Sequence, residues 1–567
     1  MISRPDSTQK RDAFPAQTTA EDVHGPGPSD ASGPAPAFPR GTELRLLLLS
    51  VATCFAVLAG IHYWAWCPDA DLSFDAPYHV TMGDLFNQAA TGRTFPWTQL
   101  SIWRTHFCDK ELGFHALLSA IRRWGALCGY SDGGPPFVFE TAVLVSLWTF
   151  VFCWVAVRSR VRKLHLFLPL VLLSCPFFTY RLNLVRPHVL SIMLMLATAA
   201  CLTSPIPKGK RRLFLYLLGI AFAYGHSNPH FILIPVGCWT LIHLKSHRGE
   251  ALLPCVIAVS GVLTGLIVHP QFPNTLIIWK LQCVDVVLQV LTGSLDLSSP
   301  VELRAPTLTH FGQNAAIFVM LAAACVGWWQ RRPVCPANAS LFLLVGLVCT
   351  AGFFLSKRML EYAVPFTVIA LGQLPPSLPG LTPNKRRVGL GIILLLMAGA
   401  LPWHRHAFAS GRAAPPRKFA TWAADNLEPG TYICNLLWSD FPTLFYIAPE
   451  FRYAYGLDPM FAYAAMGDDY VLLEKYAKGD LPFPSPGELK VLVGTRYVYV
   501  SVYGVRVARR LAAAGYGLAY QGTDAWLFDL DTPLIDHGVQ PNSEAPEDAD
   551  LPPPQPGQLP GTETGKP

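Results

Sequence analysis

Long apolar runs recur along this chain between positions 46 and 402. A run of about 20 apolar residues is the length that an α-helix needs to cross the hydrocarbon core of a bilayer. In lipid, a chain must also satisfy its backbone hydrogen bonds within such helices. Of all residues 51% are hydrophobic and only 14% are charged, against about 25% charged in ordinary soluble domains. The sequence therefore predicts a polytopic α-helical membrane protein.

The apolar runs divide into about eleven predicted membrane spans, several of them short. An odd number of spans places the two ends of the chain on opposite sides of the membrane. The predicted spans are 46–66, 136–157, 164–179, 187–204, 212–225, 229–244, 251–269, 313–329, 339–355, 359–374 and 387–403.

Basic residues indicate which side of the membrane is cytoplasmic. With the N-terminus inside, five short connections on that side carry the excess of Lys and Arg that is typical of cytoplasmic loops. The orientation places the first loop, the connection 270–312 and the C-terminal domain outside the cytoplasmic (inner) membrane. Because the basic residues sit in these loops, the net charge of +6 indicates no nucleic-acid partner. The basic residues are Arg158, Arg160, Arg162, Lys163, Lys208, Lys210, Arg211, Arg212, Lys245, Arg248, Arg331, Arg332, Lys385, Arg386 and Arg387.

Composition divides the chain into four parts. Residues 1–41 and 533–567 are rich in Pro, Gly and polar residues and are predicted to be disordered tails. Between them lie a membrane domain, 42–403, with an outer loop at 67–135, and an outer domain, 414–532. The outer domain mixes predicted elements, which indicates a small α/β domain. They are helices at 417–426, 468–478 and 505–514, strands at 432–437 and 491–502, and a hairpin at 518–530.

The outer loop carries two predicted amphipathic helices, 76–90 and 109–127, whose apolar residues recur at helical spacing. Helices of this kind lie along a membrane surface. The loop also holds Cys67, Cys108 and Cys128 in or beside it. An outer location permits a disulfide among these three, and their spacing does not choose the pair.

Carboxylates crowd the beginning of this loop. Asp69, Asp71 and Asp75 lie within seven residues, and His79 follows one helical turn later. Such groups are suited to deprotonating a hydroxyl or holding a divalent cation. Asp75 is a candidate base, and the alternative is that it caps the helix that starts near Pro77. Asp69 and Asp71 are a candidate site for Mg²⁺ or Mn²⁺, and the alternative is simple solvation.

A second acidic pair, Asp109 and Glu111, starts the second amphipathic helix. These two are candidate catalytic groups in support of Asp75, together with His79. The alternative is that they only complement the dipole at the helix start.

Basic and imidazole groups collect at other outward connections. Arginine and histidine can hold a phosphate and stabilise its charge as a leaving group, which suggests a lipid phosphate. The alternatives are arginines that snorkel to the interface and histidines that merely end a helix. Lys357 and Arg358 depart from the positive-inside pattern, which favours a role for them. The candidate phosphate-binding residues are Arg181, Arg186, His226, His230, Lys357 and Arg358.

The layout resembles the GT-C superfamily of membrane glycosyltransferases, which includes protein O-mannosyltransferases and the aminoarabinose transferase acting on lipid A. The resemblance covers about 43–532: a first span, an acidic outer loop with two surface helices, many spans and an outer domain. Three short motifs carry it: Asp75-Ala-Pro-Tyr-His79-Val-Thr-Met-Gly83 with Gly92-Arg-Thr-Phe-Pro96, Asp109-Lys-Glu-Leu-Gly-Phe-His115, and Gly456-Leu-Asp-Pro459, which is also typical of a turn.

The resemblance implies inverting transfer of a sugar from a polyprenyl-phosphate donor, with Asp75 as the residue that activates the acceptor. The acceptor would be a glycolipid, a polysaccharide or a protein of the cell envelope. Ala76 stands where protein O-mannosyltransferases have the second acid of an Asp-Glu pair, which weakens the case for a protein acceptor.

Two other functions are consistent with the sequence. A membrane transporter or flippase would carry charged residues inside its spans and broken, internally repeated helices. A non-catalytic assembly partner in envelope glycan synthesis would not need Asp75.

Overall fold

The computed structural model describes residues 40–65, 72–73, 75–130, 137–161, 164–245, 248–293, 297, 304–330, 337–374, 382–410, 412–413 and 415–533. The predicted tails lie outside the described residues, except for residues 40–41 and residue 533. The chain forms two compact units, Met1–Leu44 and Arg45–Pro567. The second unit holds all of the strands and the residues of the candidate site.

Every predicted span overlaps a helix or a pair of helices in the structure. The bundle helices are α1 (Arg40–Ala65), α5 (Val138–Arg158), α6 (Leu164–Leu173), α7 (Pro176–Leu182), α8 (His188–Thr203), α9 (Lys208–Gly225), α10 (Leu233–His243), α11 (Arg248–Val268), α15 (Ala315–Gln330), α16 (Ala337–Phe353), α17 (Met359–Gln373) and α18 (Pro383–Ser410).

Three helices of the described residues are long and apolar enough to cross a membrane: Val138–Arg158, Gly249–Val268 and Arg387–Phe408. A fourth span forms if α6 and α7, which meet at an angle of 93°, are counted together. The other apolar helices are shorter, so the count of eleven spans stays a prediction. The bend between α6 and α7 has a local cause, because Pro176 starts the second helix and lacks the N–H that would continue the first.

Helices α9 and α11 approach each other closely because glycines line their contact. A Cβ atom added to Gly219 would lie 2.6 Å from the Ala258 carbonyl oxygen, and one added to Gly261 would overlap the Tyr216 carbonyl oxygen. Small residues at such positions allow helix backbones to pack tightly where lipid offers no hydrophobic drive. This contact brings the ends of both helices beside the outer loop.

The outer loop and the connection after α11 are built from short helices. The loop holds α2 (Ala76–Asp84), α3 (Phe86–Ala89) and α4 (Leu112–Leu127), which confirms the two predicted helical regions. The connection holds α12 (Asn274–Lys280), a π-helical turn at Leu281–Asp285, α13 (Val286–Thr292) and α14 (Leu308–Gln313). Short 3₁₀ turns lie at Ile102–Arg104 and Pro229–Ile232.

A mixed five-stranded sheet forms the C-terminal domain. Its strand order is β4-β3-β5-β7-β6, with β4, β3 and β5 parallel and the β5–β7 and β7–β6 pairs antiparallel. The strands are β3 (Tyr432–Asn435), β4 (Arg452–Tyr453), β5 (Tyr497–Ser501), β6 (Tyr516–Gln521) and β7 (Ala525–Pro533). The helices are α19 (Arg417–Asn426), α20 (Phe441–Ile447), α21 (Pro459–Met466), α22 (Asp468–Lys478), α23 (Pro486–Val493) and α24 (Val505–Ala513), with 3₁₀ turns at Trp438–Asp440 and Val502–Gly504.

The predicted strand at 491–502 is wrong in its first part. Ser485 and Glu488 form a capping box that starts α23, and Gly494, at φ 70°, ends it. These two signals define a short helix, so the strand begins only at Tyr497. Leu489 and Val493 form the buried face of α23, whereas Val491 is exposed.

The outer loop is joined to the sheet through backbone hydrogen bonds. The N–H of Tyr453 donates to the carbonyl of Trp97 at 2.7 Å, and the N–H groups of Gln99 and Leu100 donate to the carbonyls of Tyr453 and Ala454. The loop thus covers the edge of β4, which would otherwise present unpaired groups. A short strand β1 (Leu72–Ser73) also pairs with β2 (Arg412–Ala413).

Loop and sheet domain share one hydrophobic core. The buried loop residues Tyr78, Met82, Phe95 and Trp103 belong to the same cluster as the side chains of the sheet domain. Trp103 packs on Phe461 with ring centroids 5.0 Å apart. The core holds α2 against α20 and α21 against the 3₁₀ turn Ile102–Arg104, and both α2 and α21 contribute residues to the candidate site.

Candidate active site

Asp75 lies at the start of α2 and pairs with an arginine. It occupies the N-cap position of α2, as the alternative interpretation predicted, but its side chain makes no capping hydrogen bond to the helix. Instead, its Oδ2 lies 2.8 Å from Nη2 of Arg186, in the connection between α7 and α8. The Asp75 side chain is 29% exposed, so a ligand can approach the carboxylate. Two residues predicted for different roles, base and phosphate binding, are therefore in contact.

A buried chain of hydrogen bonds runs from α2 to the start of α4. Nδ1 of His79 lies 3.0 Å from Nε2 of His115. Nδ1 of His115 lies 2.8 Å from both carboxylate oxygens of Asp109. All three side chains are buried, and the Phe114 ring packs edge-on against His79. The chain places two predicted catalytic residues, His79 and Asp109, at the two ends of one network.

The pKa of His79 is lowered well below its usual value. Burial is the largest cause, because it penalises the charged imidazolium, and the nearby charges of His115, Arg186 and Lys110 act in the same direction. His79 is therefore a neutral imidazole at neutral pH. The contribution of Arg186 shows that the imidazole chain and the Asp75 ion pair lie in one neighbourhood.

Glu111 lies beside Lys110 and is buried. Nζ of Lys110 lies 3.8 Å from its Oε1, and Ser227 donates a hydrogen bond to it. Burial raises the pKa of Glu111, and the charge of Lys110 opposes that shift. The side chain does not only complement a helix dipole, since it bridges the loop to the turn after α9.

Arg181 is buried at the end of α7 against an acidic residue. Its Nε lies 2.6 Å from Oε1 of Glu361, in the first turn of α17. Nε2 of His188 donates to the carbonyl of Arg181 at 2.8 Å and lies 3.9 Å from Glu361. Both members of the ion pair are about 2% exposed or less. The pair, with His188, ties α7, α8 and α17 together.

Arg358 lies at the centre of a second group. Its charge acts on His226, at the end of α9, and on Asp458, in the outer domain. Burial, with the charge of Arg358 next, lowers the pKa of His226 to about 3. His226 is thus neutral, and its Nδ1 accepts a hydrogen bond from the N–H of Asn228 at 3.1 Å. His226 and Arg358 therefore lie close enough to interact electrostatically, and their role in phosphate binding stays a prediction.

The remaining predicted phosphate-binding residues lie at the edge of this group. His230 lies in the 3₁₀ turn after His226 and interacts with it electrostatically. Lys357 is buried beside His310 of α14. The pKa of His310 is lowered to about 4, chiefly by burial and then by the charge of Lys357. Lys357 and Arg358 are adjacent in sequence but lie near different histidines.

The outer domain reaches the site through Asp458. The Gly456–Pro459 segment forms the predicted turn, and Oδ1 of Asp458 accepts from the N–H of Met460 at 2.9 Å to cap α21. Burial raises the pKa of Asp458, while the charges of Lys110 and Arg358 oppose the shift. Lys110 also lies over the ring of Phe461, 5.3 Å from its centroid. Loop, bundle and outer domain therefore meet at Lys110.

The predicted metal pair, Asp69 and Asp71, lies outside the described residues. Within the described part of the chain, no group of three or more His, Cys, Asp or Glu is arranged to hold a metal ion. Asp75, Asp109 and Glu111 each face a cation or an imidazole, so these three do not fit a divalent cation. Cys108 and Cys128 are free thiols, so they are not paired with each other; Cys67 lies outside the described residues.

Four residues of the site were not selected from the sequence as catalytic or binding groups. His115 ends a motif that the sequence analysis quoted, and Lys110 lies between two predicted acids. Glu361 had a clear signal, because a carboxylate inside an apolar run marks a functional or paired group. Asp458 had only a turn signal, since its approach to Lys110 depends on how the outer domain packs on the loop.

Solved structures show that this arrangement of helices and outer domain is a known fold. The apo oligosaccharyltransferase of Archaeoglobus fulgidus matches with a TM-score of 0.54 at 11% identity, over 88% of this chain and 76% of that one. Oligosaccharyltransferase AglB of the same organism, in complex with an inhibitory peptide and a dolichol-phosphate, matches with a TM-score of 0.53 at 12% identity, over 87% and 75% of the two chains.

A bacterial structure matches over almost its whole length. ArnT of Cupriavidus metallidurans, bound to undecaprenyl phosphate, gives a TM-score of 0.51 at 12% identity, over 86% of this chain and 98% of that one. No protein-family model and no curated protein sequence matches this chain. At these identities the likeness shows the fold alone. The chain therefore shares the fold of these oligosaccharyltransferase and ArnT structures, and at that level the resemblance found in its sequence is confirmed.

Proposed function

We propose that this protein transfers a sugar from a polyprenyl-phosphate donor to an acceptor of the cell envelope, on the outer face of the cytoplasmic membrane. One observation carries the proposal: the carboxylate of Asp75 contacts the guanidinium of Arg186 at 2.8 Å. Glycosyl transfer needs a group that receives the acceptor hydroxyl next to a group that holds the departing phosphate. Two of the matching folds contain a lipid phosphate, which supports this class of donor.

The positive groups around the site would hold the lipid phosphate. Lys110 acts on both His79 and His226, and the charges of Arg186 and Arg358 both act on His188. Guanidinium groups bind phosphate oxygens through two parallel hydrogen bonds and stabilise the charge that develops when the sugar–phosphate bond breaks. His226, being neutral, can donate or accept one hydrogen bond without adding charge.

The acceptor would bind at the first turn of α2. Its hydroxyl would meet Asp75, the partly exposed carboxylate, and His79 one turn further along. In a single displacement, the hydroxyl oxygen attacks the anomeric carbon on the face opposite the phosphate, which inverts that carbon. The acceptor is a glycolipid, a polysaccharide or a protein, and Asp458 places the outer domain where it would contact it.

Three predicted residues take positioning roles in this proposal. Arg181 holds Glu361 and so fixes the segment that carries Arg186. Asp109 and Glu111 fix the start of α4 against the turn after α9. No step is routed through Asp69 or Asp71.

A transporter is the second candidate, because two observations favour it. Arg181 and Glu361 form a charged pair inside the bundle, and α6 and α7 form a broken helix, both features of transporters. However, Glu361 is the third residue of α17 and Arg181 lies in the last turn of α7. The pair therefore lies at the helix ends beside Arg186, whereas a transport site lies near the middle of the spans.

The test is sugar release from radiolabelled polyprenyl-phosphate sugars by membranes that contain the wild type or Asp75→Asn. The variant keeps the size of the side chain and removes its charge. We expect turnover by the wild type and a loss of at least about 100-fold in the variant at equal expression. Equal turnover in both would remove Asp75 from the reaction. No turnover by the wild type with any donor, while the protein still binds lipid phosphate, would favour transport.

A further inference from the structure

The buried chain of Asp109, His115 and His79 has one arrangement of protons that satisfies all of its contacts while both imidazoles are neutral. A carboxylate only accepts hydrogen bonds, so Nδ1 of His115 carries a proton that it donates to Asp109 at 2.8 Å. A neutral imidazole has one N–H, so Nε2 of His115 accepts. The hydrogen bond to it, 3.0 Å long, must then come from Nδ1–H of His79. Nε2 of His79 is left without a proton.

We infer that His79 is the general base of the transfer, with His115 and Asp109 as the relay that stabilises the proton it takes. The inference rests on the proposed function and specifies its proton transfer. Asp75 then orients the acceptor hydroxyl, and Arg186 keeps its carboxylate in place.

The proton transfers balance in a short sequence. The acceptor O–H bond breaks and its proton goes to Nε2 of His79, while the acceptor oxygen forms a bond to the anomeric carbon. The bond between that carbon and the phosphate oxygen breaks, and its electron pair leaves on the lipid phosphate. The proton on Nδ1 of His79 passes to Nε2 of His115. His115 becomes an imidazolium held against the carboxylate of Asp109, so the charge ends in a neutral ion pair.

The other basic groups of the site lack such a relay. Asp75 is engaged in an ion pair with Arg186 at 2.8 Å. Nε2 of His188 donates to a carbonyl oxygen. Nδ1 of His226 accepts from a backbone N–H. Among the described histidines of the site, only His79 is linked through a second imidazole to a carboxylate.

The surroundings of His79 explain why it needs a relay. The cationic side chains of Arg186 and Lys110, and the imidazoles of His115 and His188, all face it, with Asp75 one turn before it on α2. Burial and these positive groups lower its pKa, so an isolated imidazolium would be unstable there. The relay moves the positive charge from His79 to His115, away from Arg186, where the carboxylate of Asp109 stabilises it.

His79→Asn separates catalysis from structure. The asparagine amide can keep the hydrogen bond to His115, so α2 remains joined to α4, but no basic nitrogen remains. We expect kcat for sugar transfer to fall by about 10²–10⁴-fold, with binding of undecaprenyl phosphate unchanged. In Asp109→Asn, we expect a smaller kcat and an acid limb of the pH–rate profile that moves to lower pH, because the imidazolium loses its counter-charge.

Asp84→Asn is the matched control. Asp84 ends α2 and pairs with Arg122 of α4, so the variant weakens the same helix contact away from the relay. We expect it to leave kcat and the pH profile unchanged. Wild-type kcat in folded His79→Asn, or an acid limb that moves in Asp75→Asn but not in Asp109→Asn, would overturn the inference and make Asp75 the base. If the wild type binds lipid phosphate but transfers no sugar, the proposed function fails instead.

Discussion

The outer loop and the helix bundle stabilise buried charge in different ways. In the loop, one carboxylate, Asp109, is shared through two imidazoles that can gain or lose a proton. In the bundle, Glu361 faces Arg181, whose guanidinium is always protonated in proteins. The first arrangement can carry a proton, and the second can only hold helices together. Proton transfer therefore belongs to the loop side of the site, and the Arg181–Glu361 pair gives rigidity on the bundle side.

The largest effect on stability should come from breaking the bundle pair. Glu361→Ala leaves Arg181 charged and buried without its carboxylate, which costs about 3–5 kcal/mol in comparable cases. We expect a large fall in the thermal midpoint of the protein in detergent. Replacing both residues by apolar ones, as in Arg181→Met with Glu361→Leu, should recover most of it. A stable, fully active Glu361→Ala protein would contradict a structural role for the pair.

Asp440, a buried carboxylate of the C-terminal domain, has surroundings that differ from those of both Asp109 and Glu361. Asp440 is buried at the end of a 3₁₀ turn with the hydroxyl of Ser501 as its neighbour. Burial raises its pKa to about 7. Between the usual carboxyl pKa of about 4 and pH 7, the folded state holds a proton that the unfolded state has lost. Stability should therefore fall as pH rises through this window.

Asp440→Asn tests this expectation, because it removes the titration and keeps the shape. We expect the unfolding free energy of the variant to rise relative to that of the wild type as pH increases from 4 to 7, and to exceed it at pH 8 by on the order of 3 kcal/mol. Chemical denaturation at several pH values measures both. Parallel pH profiles in the two proteins would show that Asp440 is ionised in the folded state at low pH.

The smallest effect should come from an exposed ion pair of the bundle. Nζ of Lys208, on α9, lies 2.8 Å from Glu250, on α11, and both side chains are about two-thirds exposed. Such pairs contribute between zero and about 1 kcal/mol. Lys208→Ala should lower the thermal midpoint by less than Glu361→Ala does. If the thermal midpoint fell as much as it does in Glu361→Ala, exposure would not determine how much an ion pair contributes to stability.

Local patterns predicted most of the helices. The helices at 417–426 and 468–478 begin and end at the predicted residues, because their apolar spacing and flanking signals are local. The strand expected at 491–502 failed where a local signal, the Ser485–Glu488 capping box, was overlooked. The span count rests on helix length, and the bend at Pro176 shows how one residue divides an apolar run.

The sequence selected several of the residues that meet at the site, but none of the contacts between them. Asp75 and Arg186 are both predicted, yet their contact joins positions more than 100 residues apart and has no local signature. The same holds for Arg181, whose partner Glu361 comes from another helix, and for Lys110 and Asp458. Sequence signals such as hydrophobic periodicity describe one or two turns of a helix. These contacts depend instead on how the loop, the bundle and the sheet pack together.

The most direct test of the central claim is the lipid product of the reaction. Purified protein in liposomes would receive a polyprenyl-phosphate sugar and an envelope acceptor, and the polyprenyl phosphate and transferred sugar would both be quantified. The account predicts one lipid phosphate formed for each sugar transferred, because the phosphate is the leaving group. Loss of donor from one leaflet to the other, with no lipid phosphate formed, would contradict it.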